Sequence, residues 1–281
     1  MKVVLFCGGL GMRLRDYAEN VPKPMVPVGY RPILWHLMKY YAHWGHKEFI
    51  LCLGYKGDVI KNFFLNYEEC VSNDFILSDG GRTRELLTSD IQDWTITFVD
   101  TGLTSSIGER LRAVRKHLAG EEAFLANYAD GLTDLPLPEQ IAHFREREKV
   151  ASFLCVKPNL SYHHVDTAPD GTVKGFTEIA DSGVRVNGGF FVFRQEIFDY
   201  LHEGEDLVAE PFERLIARDQ LLAYRYDGFW LPVDTAKDKK RIDDLHATGH
   251  APWELWKNGR DEEEPNAATR LKLRERDFVP R

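Results

Sequence analysis

The sequence predicts an α/β protein, a three-layer sandwich built on a mostly parallel, mixed sheet. Two observations carry that prediction. Short β-branched runs alternate with segments of helical period along the first half of the chain. The first of those runs, Met1-Lys2-Val3-Val4-Leu5-Phe6, empties directly into a loop rich in glycine and cations, CGGLGMRLRDYAENVPKPM over residues 7–25.

Val3 to Cys7 reads as a buried parallel strand. Ile33, Leu34, Leu37, Met38, Tyr41 and Ala42 then recur at helical spacing, and Glu48 to Leu53 returns to strand, which completes a βαβ unit. A second helix fits 57–67, an extended hairpin region 73–99 and a third helix 107–118. An apolar strand over 123–127 runs on to Asp130. After Val150 the pattern loosens into strands broken by the turn signals Pro169-Asp170-Gly171 and Ser182-Gly183, so the second half is expected to wrap one edge of the same sheet. The expected organisation is one domain over 1–257, in halves 1–135 and 136–257, followed by a tail over 258–281. Twelve of those 24 tail residues are charged, and the acidic run Asp261 to Glu264 precedes an Arg-rich stretch. A solvated or partner-docked segment is expected there.

Composition narrows the function. With 281 residues, 43% hydrophobic and 12% aromatic, the chain can bury a substantial core and is neither disordered nor fibrous. No window approaches the roughly 18 apolar residues of a membrane span, and no signal segment is evident, so a cytoplasmic protein without a membrane partner is expected. A net charge of −8 argues against a broad nucleic-acid surface, and leaves room for a local basic pocket. Cys7, Cys52, Cys70 and Cys155 form no C-x-x-C pair, and three of them lie in apolar strand runs, which suits small buried thiols rather than zinc ligands or disulfides. His36, His43 and His46 fall on or near the first helix and are expected at an interface or the surface.

The loop after the first strand carries the strongest chemical signal. Gly8-Gly9-Leu10-Gly11 can present backbone N–H groups in a concave nest, and glycine lets that backbone approach a phosphate without a Cβ in the way. Arg13 and Lys23 would neutralise what the nest holds. No G-K-[ST] follows, and Arg13-Leu14 breaks the G-x-G-x-x-G spacing, so the loop is neither a Walker loop nor a dinucleotide fingerprint. A plain tight turn explains the glycines alone about as well. Their combination with Arg13, Pro22-Lys23-Pro24-Met25 and a following helix points to phosphate.

Nine stretches taken in order, GGLGMRL, KPMVPVG, RPILWHLMKYY, LGYKGDVIKNFF, VDTG, GERL, YADG, VNGGFFVF and GFWLPVDT, resemble the sugar-1-phosphate nucleotidyltransferases, the cytidylyltransferase branch most of all. The resemblance runs from about residue 2 to Trp253. It implies the Rossmann-like nucleotidyltransferase fold, with 1–135 as the nucleotide-binding half and 136–257 as the acceptor-binding half. It implies transfer of CMP from CTP to a phosphorylated acceptor, glucose 1-phosphate first among candidates, with Mg²⁺ as cofactor and self-association into a homo-oligomer. The acceptor's phosphate oxygen attacks the α-phosphorus in line and pyrophosphate leaves, so positioning and charge neutralisation supply most of the rate. No covalent intermediate is needed, and none of the cysteines needs a catalytic role.

The same resemblance assigns residues. Gly8, Gly9, Gly11, Met12, Arg13 and Lys23 line the nucleotide, with Arg110 reaching the triphosphate and Thr104 touching the nucleotide. Asp130 and Asp234 are the metal ligands, brought together at the carboxyl edge of one sheet, and Mg²⁺ is satisfied by one or two carboxylates plus phosphate oxygens. Each has a plainer alternative: Arg110 a solvated cation at a helix start, Asp130-Gly131 a turn, Asp234 the N-cap of a helix near Ala236. On the acceptor side Glu178, Asn187 and Gly188 match sugar-binding positions, with a strand-end carboxylate and an Asn-Gly turn as alternatives.

Two departures bear on the acceptor and a third on contacts to the base. The family pattern Glu-Lys-Pro becomes Glu178-Ile179-Ala180, which removes a cation at the reacting phosphate. Arg185 is either its replacement or a surface arginine. Tyr162-His163-His164 stands where a small Phe-Gly-Ala stretch is usual, and Met12 replaces a threonine. The reaction type survives these changes, and a modified sugar phosphate, a phosphonate or a phospho-alditol becomes an alternative acceptor. A non-catalytic nucleotide-binding paralogue and a sugar-nucleotide-consuming glycosyltransferase are the competing functions, although the latter usually carries Asp-x-Asp where this chain reads Asp130-Gly131-Leu132.

Overall fold

A computed structural model describes residues 1–9, 21–159, 162–257 and 271–273. The first strand, β1 (Val3–Phe6), is buried along its whole length. A 3₁₀ turn at Lys23–Met25 leads into a two-residue hairpin of β2 (Pro27–Val28) and β3 (Arg31–Pro32). Helix α1 (Ile33–His43) starts on Pro32 and stops before Gly45, whose φ of +82° is the left-handed conformation that glycine adopts at low cost. Strand β4 (Glu48–Leu53) and helix α2 (Gly57–Leu65) follow.

The region expected as one extended hairpin divides in two. β5 (Phe75–Ser78) and β6 (Thr83–Leu86) form the hairpin, whereas β7 (Thr95–Asp100) leaves it and pairs in parallel with β4. The next helix is also shorter than its periodicity suggested: α3 (Ile107–Val114) is opened by a Ser106–Glu109 capping box and tightens after Val114 into a 3₁₀ turn, Arg115–Leu118. Then come β8 (Ala123–Tyr128), the short β9 (Gly131–Thr133), α4 (Leu137–Arg147) and β10 (Ala151–Val156). An exposed arm of β11 (His163–Thr167) and β12 (Val173–Glu178) precedes β13 (Val186–Asn187) and β14 (Phe191–Arg194). The chain continues through α5 (Glu210–Ala217), β15 (Leu221–Tyr226), β16 (Trp230–Pro232) and α6 (Ala236–Ala247). In the tail, β17 (Leu271–Leu273) lies antiparallel to β6.

The main sheet has eight strands and is mixed but mostly parallel. From β1 the chain moves outward to β4 and β7, then returns to the opposite side of β1 as β8. β14 runs antiparallel between β8 and β10, and β15 closes the far edge parallel to β10. Both halves of the sequence therefore contribute to one sheet, the second as its far edge.

Alternate residues of the inner strands face two separate cores, and that makes the third layer. Val3 and Leu5 join α1, Ile60 of α2, α4 and Ile242 of α6 on one face. Val4 and Phe6 join Leu111 and Val114 of α3 with Phe212 and Leu215 of α5 on the other. Cys7 and Cys52 are buried in these layers, and burial pushes the Cys52 thiol up to about 12. His36 corrects the expectation of an interface or surface residue. It is buried in α1, and its ring meets the Val28 carbonyl at 3.0 Å and accepts from the Trp253 indole at 3.3 Å.

Candidate active site

The reversal in strand order falls between β1 and β8, and open α/β sheets leave a crevice at the carboxyl end of such a point. Gly8 and Gly9 follow β1 there, and Asp130 follows β8. The antiparallel steps through β14 leave β10 and β15 running in the same sense as β8, so Val156 and Tyr226 end on this edge too. The ends of β4 and β7, at Leu53 and Asp100, complete it.

Gly8 is required for a reason other than phosphate approach. A Cβ on Gly8 would lie 2.1 Å from Nη1 of Arg110, whereas Gly9 has open space at that position. Arg110 itself is neither exposed nor solvated. It is 3% exposed and donates to the carbonyls of Gly8 (3.2 Å), Leu53 (3.1 Å) and Leu103 (3.4 Å) and to Oγ1 of Thr101 (2.7 Å). One planar guanidinium thus ties the ends of β1, β4 and β7 together behind the loop. Among the described residues no carboxylate lies within 4 Å of it. Burial draws its pKa down from the ordinary value, against the pull of nearby acidic groups. Gly54 is tightly placed for the same reason, with Arg110 Nη1 and the Gly102 carbonyl both 2.9 Å from a built Cβ. Thr104 is exposed on the adjoining loop. Gly11, Met12 and Arg13 lie outside the described residues.

Asp130 and Asp234 converge. β9 and β16 pair antiparallel with Gly131 opposite Pro232, and the Val233 amide donates to the Asp130 carbonyl at 2.8 Å. Both carboxylates meet one ammonium: Nζ of Lys23 lies 2.5 Å from Asp130 Oδ2 and 2.6 Å from Asp234 Oδ1. Lys23 is largely buried, which opposes its charge, yet the Asp130 and Asp234 carboxylates hold its pKa above the ordinary value. Asp234 is not the helix cap. Thr235 takes that place, its hydroxyl accepting from the Asp238 amide and Asp238 returning a bond to the Thr235 amide. The carboxylate of Asp234 is therefore left to face cations.

Two half-buried carboxylates on one cation suit Mg²⁺, which binds through one or two carboxylates and takes its remaining ligands from phosphate oxygens and water. Among the described residues no group of three or more His, Cys, Asp or Glu is arranged to hold a metal, and a complete protein cage is not what Mg²⁺ requires.

The residues expected on the acceptor side are organised differently. Arg185 reaches the same edge, where it donates to the carbonyls of Cys155 and Tyr226 and pairs with Asp227 at 2.7 Å. Asn187 and Gly188 sit where β13 gives way to an irregular step before β14. Asn187 Oδ1 accepts from the Gly189 amide at 2.9 Å, and the Gly188 carbonyl accepts from the Trp230 indole at 2.9 Å. Glu178 ends the exposed arm, in register with His163, whose ring stacks on Phe176 at 4.7 Å.

Several supports of this edge have no counterpart in the sequence reading. Thr101 anchors Arg110. Asn127 accepts from the Phe190 amide at 2.9 Å, and Gln140 donates to the Phe190 carbonyl at 2.7 Å, holding the step in which Phe190 has a φ of +47°. A polar residue directly after the apolar run Ala123 to Ala126, within the same strand, was the available signal for Asn127.

The description "Nucleotidyl transferase" belongs to the family model that matches residues 2–239. Glucose-1-phosphate cytidylyltransferases of Salmonella typhimurium and Salmonella typhi are each 38% identical over 258 residues, covering 91% of this chain and all of theirs. A solved UDP-glucose pyrophosphorylase, complexed with UDP-glucose, superposes with a TM-score of 0.63 over 88% of this chain and 98% of its own, at 15% identity, a likeness of fold.

Proposed function

We propose, from the premise that this chain belongs to the nucleotidyl transferase family, that it transfers CMP from CTP to glucose 1-phosphate, giving CDP-glucose and pyrophosphate. The observation that carries the reading is the meeting of Lys23, Asp130 and Asp234 beside the loop that follows β1. The full-length match to curated cytidylyltransferases supports the base and the acceptor.

In this reading the loop at Gly8 and Gly9, with Met12 and Arg13 beyond it, receives the triphosphate, and Thr104 borders the nucleotide. Arg110 acts from behind as a fixed positive charge and as the brace of the loop, which costs no reorganisation during the reaction. Lys23 compensates negative charge on the phosphates, while Asp130 and Asp234 would hold Mg²⁺, which when bound neutralises the triphosphate and orients its leaving group. Asn187, Gly188 and Glu178 orient the acceptor so that its phosphate oxygen lies in line with the α-phosphorus. That oxygen forms the new P–O bond as the bond to pyrophosphate breaks. No side chain is alkylated, acylated or phosphorylated.

Residues 1–257 act as one catalytic unit, a reading supported by the sheet that both halves share. Its place is the cytoplasm, where CTP is supplied, and its working form is a homo-oligomer, supported by apolar Phe75, Ile76 and Leu77 standing exposed on β5. Among the described residues no helix is long and apolar enough to cross a membrane.

Pyrophosphate release tests the function, using purified protein, Mg²⁺, each nucleoside triphosphate and a panel of phosphorylated acceptors. Release with CTP and glucose 1-phosphate together, above either alone, is the expected result. No release with any pair overturns the reading. A second acceptor class is favoured by one observation, that Arg185 is engaged by Asp227 while Ile179 offers no charge. A modified sugar phosphate, phosphonate or phospho-alditol outperforming glucose 1-phosphate in the same screen would select it.

A further inference from the structure

The main chain, and not the side chains themselves, sets Asp130 and Asp234 side by side. They leave the same end of the β9–β16 ladder, locked by the Val233 amide on the Asp130 carbonyl. Two like charges so placed raise each other's energy unless a cation lies between them. Nζ of Lys23 fills that place at 2.5 and 2.6 Å. The backbone that carries Lys23 is fixed by its 3₁₀ turn, in which Pro24 and Met25 are buried. Its four-carbon stem, by contrast, can move the ammonium by rotamer changes alone.

We infer that Lys23 is a resident cation: in the substrate-free protein it stands where the divalent ion is held during turnover, and it departs when ion and triphosphate arrive together. The inference rests on the metal-dependent reading above. One positive charge between two carboxylates leaves the cluster with a net negative charge, so a divalent ion is still attracted. To enter, it must displace an ammonium that makes two charge-assisted bonds. A triphosphate changes that balance by offering the ammonium new oxygens. The site accordingly holds metal weakly without nucleotide and tightly with it, and free metal does not fill it ahead of substrate.

Mn²⁺ binding to the nucleotide-free protein, read as loss of the free-ion paramagnetic resonance signal, tests this. Lys23→Met, similar in length and uncharged, is expected to bind Mn²⁺ at least about tenfold more tightly than the unmodified protein, because the competing cation is gone. Adding Asp130→Asn should abolish the gain. Equal or weaker binding by Lys23→Met overturns the inference. Should Lys23→Met fail to fold, Lys23→Gln is compared by unfolding temperature with and without Mn²⁺: a larger Mn²⁺ shift than in the unmodified protein supports the inference, and an equal or smaller one overturns it. None of these measurements uses nucleotide. Pyrophosphate release by the unmodified protein alongside unchanged Mn²⁺ binding in the variants removes the inference and leaves the function standing. Tightened Mn²⁺ binding in a protein that releases no pyrophosphate overturns the function and leaves Lys23 as the occupant of a divalent-cation site.

Discussion

The two ends of the proposed catalytic edge treat their cations in opposite ways. At the β1–β8 end, Arg110 is buried with carbonyl and hydroxyl partners and no carboxylate within 4 Å among the described residues, and Lys23 is shared by two carboxylates that a metal can claim. At the β10–β15 end, Arg185 is already paired with Asp227, and the arm that carries Glu178 is exposed along both strands. The first end is organised for a polyanion before one arrives. In the proposed function the second must release a charge, or receive the acceptor through neutral groups.

The strongest way to break this comparison is to neutralise one carboxylate. Asp130→Asn or Asp234→Asn is expected to lower kcat on the order of 10²–10³-fold, the scale seen when one preorganised electrostatic stabiliser of a transition state is lost. The unfolding temperature should change little, since Asn keeps the shape. A fully active variant would remove that residue from the site and with it the claim that this end is metal-ready.

The next effect concerns the brace. Gly8→Ala puts a methyl where the Arg110 guanidinium lies, 2.1 Å from Nη1, so either the loop or the arginine must shift. An increase in the KM for CTP of about tenfold, with a loss of roughly 1–3 kcal/mol in stability, is expected from the disturbed buried hydrogen bonds. Gly9→Ala, where the Cβ meets open space, should cost much less stability. Equal stability losses in the two would show that the brace is not what demands glycine at position 8.

How much of this could be read in the sequence follows from the range of each interaction. The β1-α1-β4 unit and the strand running to Asp130 are written in local periodicity and turn residues, and they appear where the pattern put them. β7 was harder, because leaving a hairpin for the main sheet is decided by its partner β4 and not by its own residues. The alternative reading of Asp234 as the helix cap is one residue off, since Asp and Thr both cap well. Thr235-x-x-Asp238 was the signal that separates them. Lys23 meets Asp130 and Asp234 across 107 and 211 residues, so their convergence came from family resemblance and not from spacing. His36 was missed for the same reason: its burial depends on Trp253, 217 residues away.

His36 offers a test through pH. Burial lowers its pKa to about 3 from the ordinary value near 6.5, with His246, Lys257 and Arg31 adding to the effect and the Val28 carbonyl opposing it. Glu254, 3.8 Å from Nδ1, is the nearby carboxylate that would favour the charged ring. Between those pKa values the unfolded chain binds a proton that the folded one does not, so stability falls as pH drops below about 6.5. At pH 5 the loss from this group is about 2 kcal/mol. Protonation would also put a hydrogen on the ring nitrogen that accepts from Trp253, beside the strand that follows Lys23. Denaturant unfolding of His36→Gln should therefore show a shallower pH dependence between 7 and 5, and parallel slopes would refute the assignment.

The smallest expected effect lies at the acceptor end and sharpens the contrast most. The Arg185–Asp227 pair is largely solvent-facing on its acidic side, so it contributes no more than about 1 kcal/mol and can open readily. If Arg185 supplies the charge that Ile179 does not, Arg185→Ala should raise the acceptor's KM severalfold with that of CTP unchanged, and Asp227→Asn, by freeing the guanidinium, should lower it about two- to threefold. Opposite responses in these two variants mean that a paired cation is released to the acceptor phosphate. Unchanged acceptor dependence in both returns Arg185 to joining the start of β13 to the ends of β10 and β15, where its bonds to the Cys155 and Tyr226 carbonyls already account for its position, and leaves acceptor recognition to Glu178, Asn187 and the arm itself.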